Sequence, residues 1–392
     1  MKNERVAVLD IRSFEVTFLV GGRGINDTFV VCESKSRKYL GYTTEGFTDK
    51  ESFVEAVSYV VDSVRQNYGG VIDEIYVSVP PAFTTVRTLG HSIAFPSKRK
   101  ITNQDLDELY ATGLNKLLEK GRCIRQSAMY FALSDNRKYF DASALYGIPT
   151  SSLKGALCYY FITDEFYSFI TETLGKFGVK NVKFIPSSLA QVNYLVPAKI
   201  REGYAVFIDM GFMTSSVSVV YGNGIVKETS YDCGIAWIIE DLQNKFKVSY
   251  EKAEEIFESA DLSTSSIGEK WSDETGKTFS IPEINEIIKD RVNALVESAD
   301  VFFQAHDKGK TSDGVLDIPT LLTGEGSMQI MGLTEHISSW LNRVAEIVQP
   351  DLPYCDKPEF SSRIALLNMA LGDKTESGFF HKLRNLLGGK KK

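Results

Sequence analysis

Little in this 392-residue chain suits metal or disulfide chemistry. The five cysteines, Cys32, Cys123, Cys158, Cys233 and Cys355, are odd in number and form no C-x-x-C pair, which argues against a disulfide framework or a zinc ribbon. The four histidines, His91, His306, His336 and His381, are scattered and make no metal-binding cluster. No run of about 18 apolar residues exists and the start of the chain is too short for a signal peptide, so a location on the cytoplasmic side is expected. Basic residues are outnumbered, 44 against 51, and form no stripe outside the C-terminus, which argues against nucleic acid as the main partner. Apolar residues are plentiful. At 43% hydrophobic content the chain can fill two sizeable cores, as two domains or one large bilobed body.

Residues 6–9 form an apolar β-type run ending in Asp10, followed by a short turn through Arg12 and Ser13 and a second strand over 15–20. The same design returns at 206–208 with Asp209, a turn containing Gly211 and Thr214, and a strand over 217–221. One such hairpin carries little weight, because an Asp that ends a strand is usually a turn residue. Two at matching places carry much more. Backbone N–H groups in each turn can cradle phosphate, and opposed carboxylates, Asp10 and Asp209, can hold a hydrated Mg²⁺. This hairpin pair resembles that of the actin and sugar-kinase superfamily, in which the halves face each other across a nucleotide.

Along the chain, a helix is expected over 50–68 and a strand over 74–79, after which Pro80-Pro81 breaks the pattern. Residues 80–163 have another texture. Thr102 with Asp105 three residues later reads as a helix cap, Leu106, Leu109, Tyr110, Gly113, Leu114 and Leu117 follow at helical spacing, and strands are expected at 128–133 and 153–162. A small α+β unit is therefore expected inside a first lobe made of 1–79 and 164–203. The second lobe is expected over 204–371, with a tight turn at Asn223-Gly224, helices at 235–246, 251–259 and 282–304, a strand at 320–323 and a turn at Gly324-Glu325-Gly326. Residues 372–392 read as a flexible linker and a separate terminal helix. Ser377 is placed to cap it and Gly388 to end it.

In that terminal helix Phe379, Phe380, Leu383, Leu386 and Leu387 share an arc of about 120°, with polar residues opposite. Lys382, Arg384, Lys390, Lys391 and Lys392 against Glu376 make the tail net +4, on a chain whose total is −7. A cationic amphipathic helix on an acidic body suits anionic lipid. Burial there is partial, so one copy binds reversibly and linked copies bind tightly through avidity.

The whole chain is similar to FtsA, the actin-like bacterial cell-division family. Residues 100–107 resemble the start of the helix in that family's inserted 1C subdomain, and 146–162 its later loop and strand. Residues 321–327 with Gly332 resemble the adenosine loop, bringing in Thr323, Gly324, Gly326 and Ser327, while Ala253-Glu254 resembles the adenosine-side pair. The resemblance implies an α/β, actin-like ATPase fold of duplicated ribonuclease H-like domains, with a 1C-type insertion and a C-terminal amphipathic helix. It implies a filament-forming protein that tethers the FtsZ C-terminal peptide to the inner membrane face at the division site and recruits later division proteins. Departures from the family pattern concern the chemistry. Arg12, Phe212, Met213 and Glu325 stand where glycines are usual, Ser216 and Ile185 where acids are usual, and Phe257 where a base is usual. Weak or absent ATPase activity is therefore expected. Either Arg12 replaces Mg²⁺ or touches a phosphate of bound ATP, or the cleft is purely structural. A pilus-assembly-type actin-like adaptor and a small-metabolite kinase are the alternative functions.

Overall fold

The computed structural model describes residues 5–24, 28–117, 119–263, 268–306, 310, 311, 314, 315 and 318–387, with side chains undescribed at 300, 302–317 and 376–387. The first lobe opens with strands β1 (Arg5–Ile11), β2 (Glu15–Arg23) and β3 (Phe29–Lys38), then a small ribbon of β4 (Tyr42–Thr43) and β5 (Gly46–Phe47). Helix α1 (Lys50–Tyr68) starts at Asp49, whose carboxylate accepts the N–H groups of Glu51 and Ser52, and stops at Gly69 in the left-handed conformation. Its Phe53, Ala56, Val57, Val60, Val61 and Val64 recur at helical spacing and all are buried against the sheet. β6 (Glu74–Val79) then runs parallel to β1.

Residues after Pro80 leave this sheet for a four-stranded one, β7 (Thr84–Lys100), β8 (Arg122–Leu133), β9 (Lys138–Tyr139) and β10 (Pro149–Ile162), in the order β7-β10-β8-β9. Helix α2 (Asn103–Leu114) covers one face of it, started by a capping box between Thr102 and Asp105. Arg99 reinforces this cap through both Asp105 carboxylate oxygens, and the partnership holds the Asp105 acid down to about 2. Leu106, Leu109, Leu133, Leu153 and Leu157 make a core separate from those of the lobes.

The chain returns through α3 (Asp164–Gly175) to β11 (Asn181–Pro186), which completes the order β11-β6-β1-β2-β3. Helices α4 (Ser187–Leu195) and α5 (Ala198–Arg201) lead into the second lobe. There β12 (Tyr204–Met210), β13 (Ser215–Tyr221) and β14 (Gly224–Tyr231) repeat the opening meander. Helices α6 (Ile235–Phe246) and α7 (Tyr250–Glu258), the ribbon β15 (Lys270–Ser272) and β16 (Thr278–Ser280), helix α8 (Ile281–His306) and the short β17 (Lys310–Thr311) and β18 (Gly314–Val315) follow. β19 (Thr320–Thr323), α9 (Glu325–Gln329), α10 (Leu333–Leu341) and β20 (Ala345–Ile347) complete the sheet, ordered β14-β13-β12-β19-β20. Each lobe is thus one antiparallel meander extended by two parallel strands.

Both faces of each sheet are covered, so the central strands are almost continuously apolar. Ala7, Leu9 and Ile11 of β1 face α1, whereas Val6 and Val8 face the last helix, α11 (Ser361–Leu387), through Ala365, Leu366 and Leu367. α4 lies between the lobes, giving Ala190 to the first lobe's core and Val192 to the second's. Among the described residues no helix is long and apolar enough to cross a membrane.

Two local expectations need correction. The tight turn is Gly222-Asn223, because Tyr221 pairs with Gly224 and the positive φ, 59°, falls on Gly222. A Cβ there would collide with the Met129 carbonyl of the inserted sheet, so the close approach of two backbones selects the glycine. Nor is there a break at 372–376. α11 continues to Leu387 as one helix, with Asp373 paired to Arg125 of the inserted unit at 2.6 Å and the Thr375 hydroxyl donating to the Leu371 carbonyl, and position 377 lies inside it rather than at its start. A lone Gly372 weakens a helix by about 1 kcal/mol against alanine, too little to end one tied down on both sides. The side chains of Phe379, Phe380, Lys382, Leu383, Arg384, Leu386 and Leu387, and all of Lys390, Lys391 and Lys392, lie outside the described residues.

Candidate functional site in the interlobe cleft

The two hairpins present equivalent acids. Asp10 pairs across its hairpin with Thr17 and Asp209 with Ser216, each one residue before the end of the first strand of its pair. They do not face each other across an open gap, as the sequence suggests. The turns touch. The Met213 N–H donates to Ser13 Oγ at 3.0 Å, and the Phe14 and Phe212 rings stack with centroids 4.3 Å apart. Outside the turns, the Thr44 N–H and hydroxyl both donate to the Asp232 carboxylate, at 2.8 and 2.7 Å.

Arg12 occupies the centre. Its guanidinium forms a bidentate pair with Asp209, Nη1 to Oδ2 at 2.6 Å and Nη2 to Oδ1 at 3.0 Å, and Gln191 Nε2 of α4 donates to Oδ2 at 2.9 Å. Burial opposes the Arg12 charge, yet the carboxylates of Asp209, Glu325 and Asp10 together hold its pKa above the ordinary arginine value. Asp10 is fully buried. It accepts a bond from Ser362 Oγ at 2.6 Å, its Oδ2 has no partner, and burial pushes its pKa up against the pull of Arg12 and Arg363. Burial likewise raises Glu325, partly offset by Arg12.

The loop after β19 seals the site from the other side. Gly324, at φ 87°, brings its backbone so close to the Asp209 carboxylate and the Met210 carbonyl that any Cβ would collide with both. Ser327 Oγ donates to the Gly324 carbonyl at 2.7 Å, Thr323 Oγ1 donates to Ser361 Oγ at 2.7 Å, and Gly326 is buried beside Met210. The expected turn at 324–326 is therefore a helix start. Of the residues read from sequence, Arg12, Ser13, Asp209, Gly211 and Thr214 line one cavity of about 20 Å³, room for about one water. Glu254 lines a different space, an open cleft of about 640 Å³ walled also by Phe14, Phe212, Phe257, Glu325 and Arg363.

Mg²⁺ and a triphosphate do not fit these residues as they stand. The cavity at the two turns is too small for phosphates, and the protein's own guanidinium takes both oxygens of one of the two expected metal carboxylates. Among the described residues no group of three or more His, Cys, Asp or Glu is placed to hold a metal. The nucleoside-sized space beside Glu254 is present.

Sequence reasoning missed two participants. Ile185, read as a replaced catalytic acid, is buried in the core beneath α11, and the polar side chain that α4 delivers to the cleft is Gln191. A glutamine between Ala190 and Val192, in the helix that follows a buried strand, is the signal. Glu228 of β14 is the other. It accepts from Ser218 Oγ at 3.0 Å while its Oε2 is buried without a partner, and burial pushes the acid up to about 7. A raised acid binds its proton more tightly in the folded state, so its contribution to stability is complete below the unfolded value near 4.5 and is lost as pH rises through about 7. Glu228→Gln is expected to leave stability unchanged below pH about 4.5 and to raise it by on the order of 1–3 kcal/mol above pH about 7, read by urea unfolding. Equal stabilities at high pH would remove this assignment.

No protein-family model matches the chain, and no curated protein matches it in sequence. Solved structures do. A PilM–PilN type IV pilus biogenesis complex matches 93% of this chain and 98% of that one, at 12% identity and TM-score 0.60. MreB 5 of Spiroplasma citri bound to AMPPNP matches over 97% and 99%, at 8% identity and TM-score 0.53, and the ADP-bound form over 93% and 95%, at 8% and 0.51. Identity this low speaks to architecture, and the repeated sheets, paired hairpins and near-complete coverage agree on it. The chain has the actin-like ATPase fold.

Proposed function

We propose that this protein is an actin-fold adaptor of the FtsA type that works without nucleotide hydrolysis. The observation that carries the reading is the Arg12–Asp209 pair, which puts a permanent internal cation between the hairpins where the fold otherwise places a metal and phosphates. A body held closed by its own side chains suits a constitutive scaffold better than a nucleotide-timed switch. In this proposal copies stack into an actin-like filament, the second lobe receives the FtsZ C-terminal peptide, and the terminal helix lies on anionic lipid at the inner face of the bacterial membrane. The division site is the proposed location, with later division proteins as further partners.

Two measurements test the halves of this reading separately. Calorimetric titration of ATP with Mg²⁺ is expected to give no heat and no thermal shift at millimolar nucleotide, and micromolar binding would overturn the nucleotide-independent half. Deletion of residues 377–392 is expected to leave a folded body that no longer sediments with anionic liposomes. Unchanged sedimentation would overturn the tether.

A second reading, a pilus-assembly-type adaptor, draws on the match to the PilM–PilN complex over nearly the whole chain. Pull-down with an FtsZ tail peptide against a peptide of the pilus partner separates the two. Kinase activity is disfavoured by the same ion pair, which leaves no room for a transferring phosphate.

A further inference from the structure

The inserted sheet is covered unevenly. α2 packs on one face throughout. The opposite face is covered toward the body, where Cys158 and Tyr160 meet Leu189 and Ile225, and Tyr221 packs on Tyr130 and Phe140 at its border. At the other end the outward residues form two short ladders, Ser92, Lys154, Ala132 and Lys138, and beside them Gly90, Ala156 and Tyr130, as the strand registers set them side by side. This end is an open groove of about 560 Å³ with a floor of small side chains. A backbone can lie close to such a floor.

Its charge is one-sided. Lys116, Lys138 and Lys154 border the groove and no acidic residue lines it, although the chain as a whole has 51 acids against 44 bases. Among the described residues none of these lysines pairs with a carboxylate. Lys138 Nζ donates to the Tyr221 hydroxyl at 2.8 Å and sits 4.6 Å from the Tyr130 ring centroid, Lys154 Nζ donates to Asn136 Oδ1 at 3.0 Å, and Lys116 Nζ lies 3.1 Å from His91 Nδ1. The Lys138–Tyr221 bond also ties this wall to the second lobe's hairpin, so the groove's wall is fixed by the body and its cations are displayed on neutral supports. Three cations without counter-charges, on an acidic protein, are complementary to an acidic chain.

We propose that this groove docks an extended acidic segment of a partner protein, its backbone over Gly90, Ala132 and Ala156 and its carboxylates on Lys138 and Lys154. The inference stands on the groove and goes beyond the adaptor reading, whose peptide is placed in the second lobe and not on the inserted sheet.

The test is fluorescence anisotropy of the full chain with a fluorescein-labelled Asp/Glu-rich peptide, with a Lys/Arg-rich peptide of equal length and a single-stranded oligonucleotide as comparison probes. The acidic peptide is expected to bind in a salt-sensitive manner. Lys138→Glu/Lys154→Glu is expected to weaken it at least about tenfold, and Ala156→Trp, which fills the floor without changing charge, to weaken it comparably. Because these residues face outward, Ala156→Trp should unfold at the parent's temperature and the charge variant within a few degrees of it, the difference being the lost Lys138–Tyr221 bond. Absence of acidic-peptide binding, unchanged affinity in both variants, loss only in the charge variant, or equal binding of the oligonucleotide would overturn the proposal, the last two by revealing a non-specific polyanion patch.

Discussion

Arg12→Ala is expected to cost about 3–5 kcal/mol, the range for removing one partner of a buried ion pair. Asp209 is 8% exposed, and without the guanidinium its carboxylate keeps, among the described residues, only the Gln191 amide as a bonded partner, while Asp10 and Glu325 lose the cation that acts on them most strongly. In a chain of this size that should lower the melting temperature by about 4–6 °C. Two companion results separate electrostatics from packing. Arg12→Met combined with Asp209→Met should recover most of the loss, because replacing a whole buried pair with apolar groups is far less harmful than orphaning one charge. Added Mg²⁺ should raise the melting temperature of Arg12→Ala and leave the parent unmoved, since only the variant presents uncompensated carboxylates around a vacated cation position. A loss under about 1 kcal/mol would show that the lobes are held by other contacts, such as Thr44 with Asp232.

Gly324→Ala is expected to cost on the order of 3 kcal/mol by a different route. Part is the backbone, which at φ 87° and ψ 169° lies in a region essentially restricted to glycine, on the order of 1–3 kcal/mol for a residue with a Cβ. The rest is the collision of that Cβ with the Asp209 carboxylate and the Met210 carbonyl, both held in place by their own partners. Gly147→Ala is the control, because Gly147 has the same φ, 87°, with nothing near its Cβ position. Gly324→Ala is expected to cost more than Gly147→Ala in urea unfolding, because only the first adds a collision to a positive φ. As the added methyl displaces Asp209, Gly324→Ala and Arg12→Ala should cost less together than the sum of the two. Strict additivity would mean that the loop and the ion pair are independent.

The elements most legible in the sequence were those whose signals are local. α1 begins at the residue after Asp49 and ends before Gly69, and the Thr102–Asp105 box starts α2, because caps and glycine stops act over a few residues. The two Asp-ended strands were legible through repetition. Less legible was anything decided by a distant neighbour. Ile185 and Gln191 are six residues apart, and only the seating of α4 between the sheets buries the first in a core and brings the second to Asp209. Gly222 is selected by the Met129 backbone of the insertion, which passes where its Cβ would be, a neighbour 93 residues away in sequence.

By itself, the sequence determined two apolar meanders with matched acids, a capped helix in an inserted unit, and an arginine in a turn where a small residue would admit phosphate. Whether that arginine reached outward to a ligand or inward to the opposite lobe was decided by tertiary structure, since it depends on how far apart the two turns come to rest. Closure through Phe14 on Phe212, and burial by the 323–327 loop, bring the guanidinium within hydrogen-bonding distance of Asp209. At that separation, and shielded from water, the pair is strong enough to fill the position of a metal.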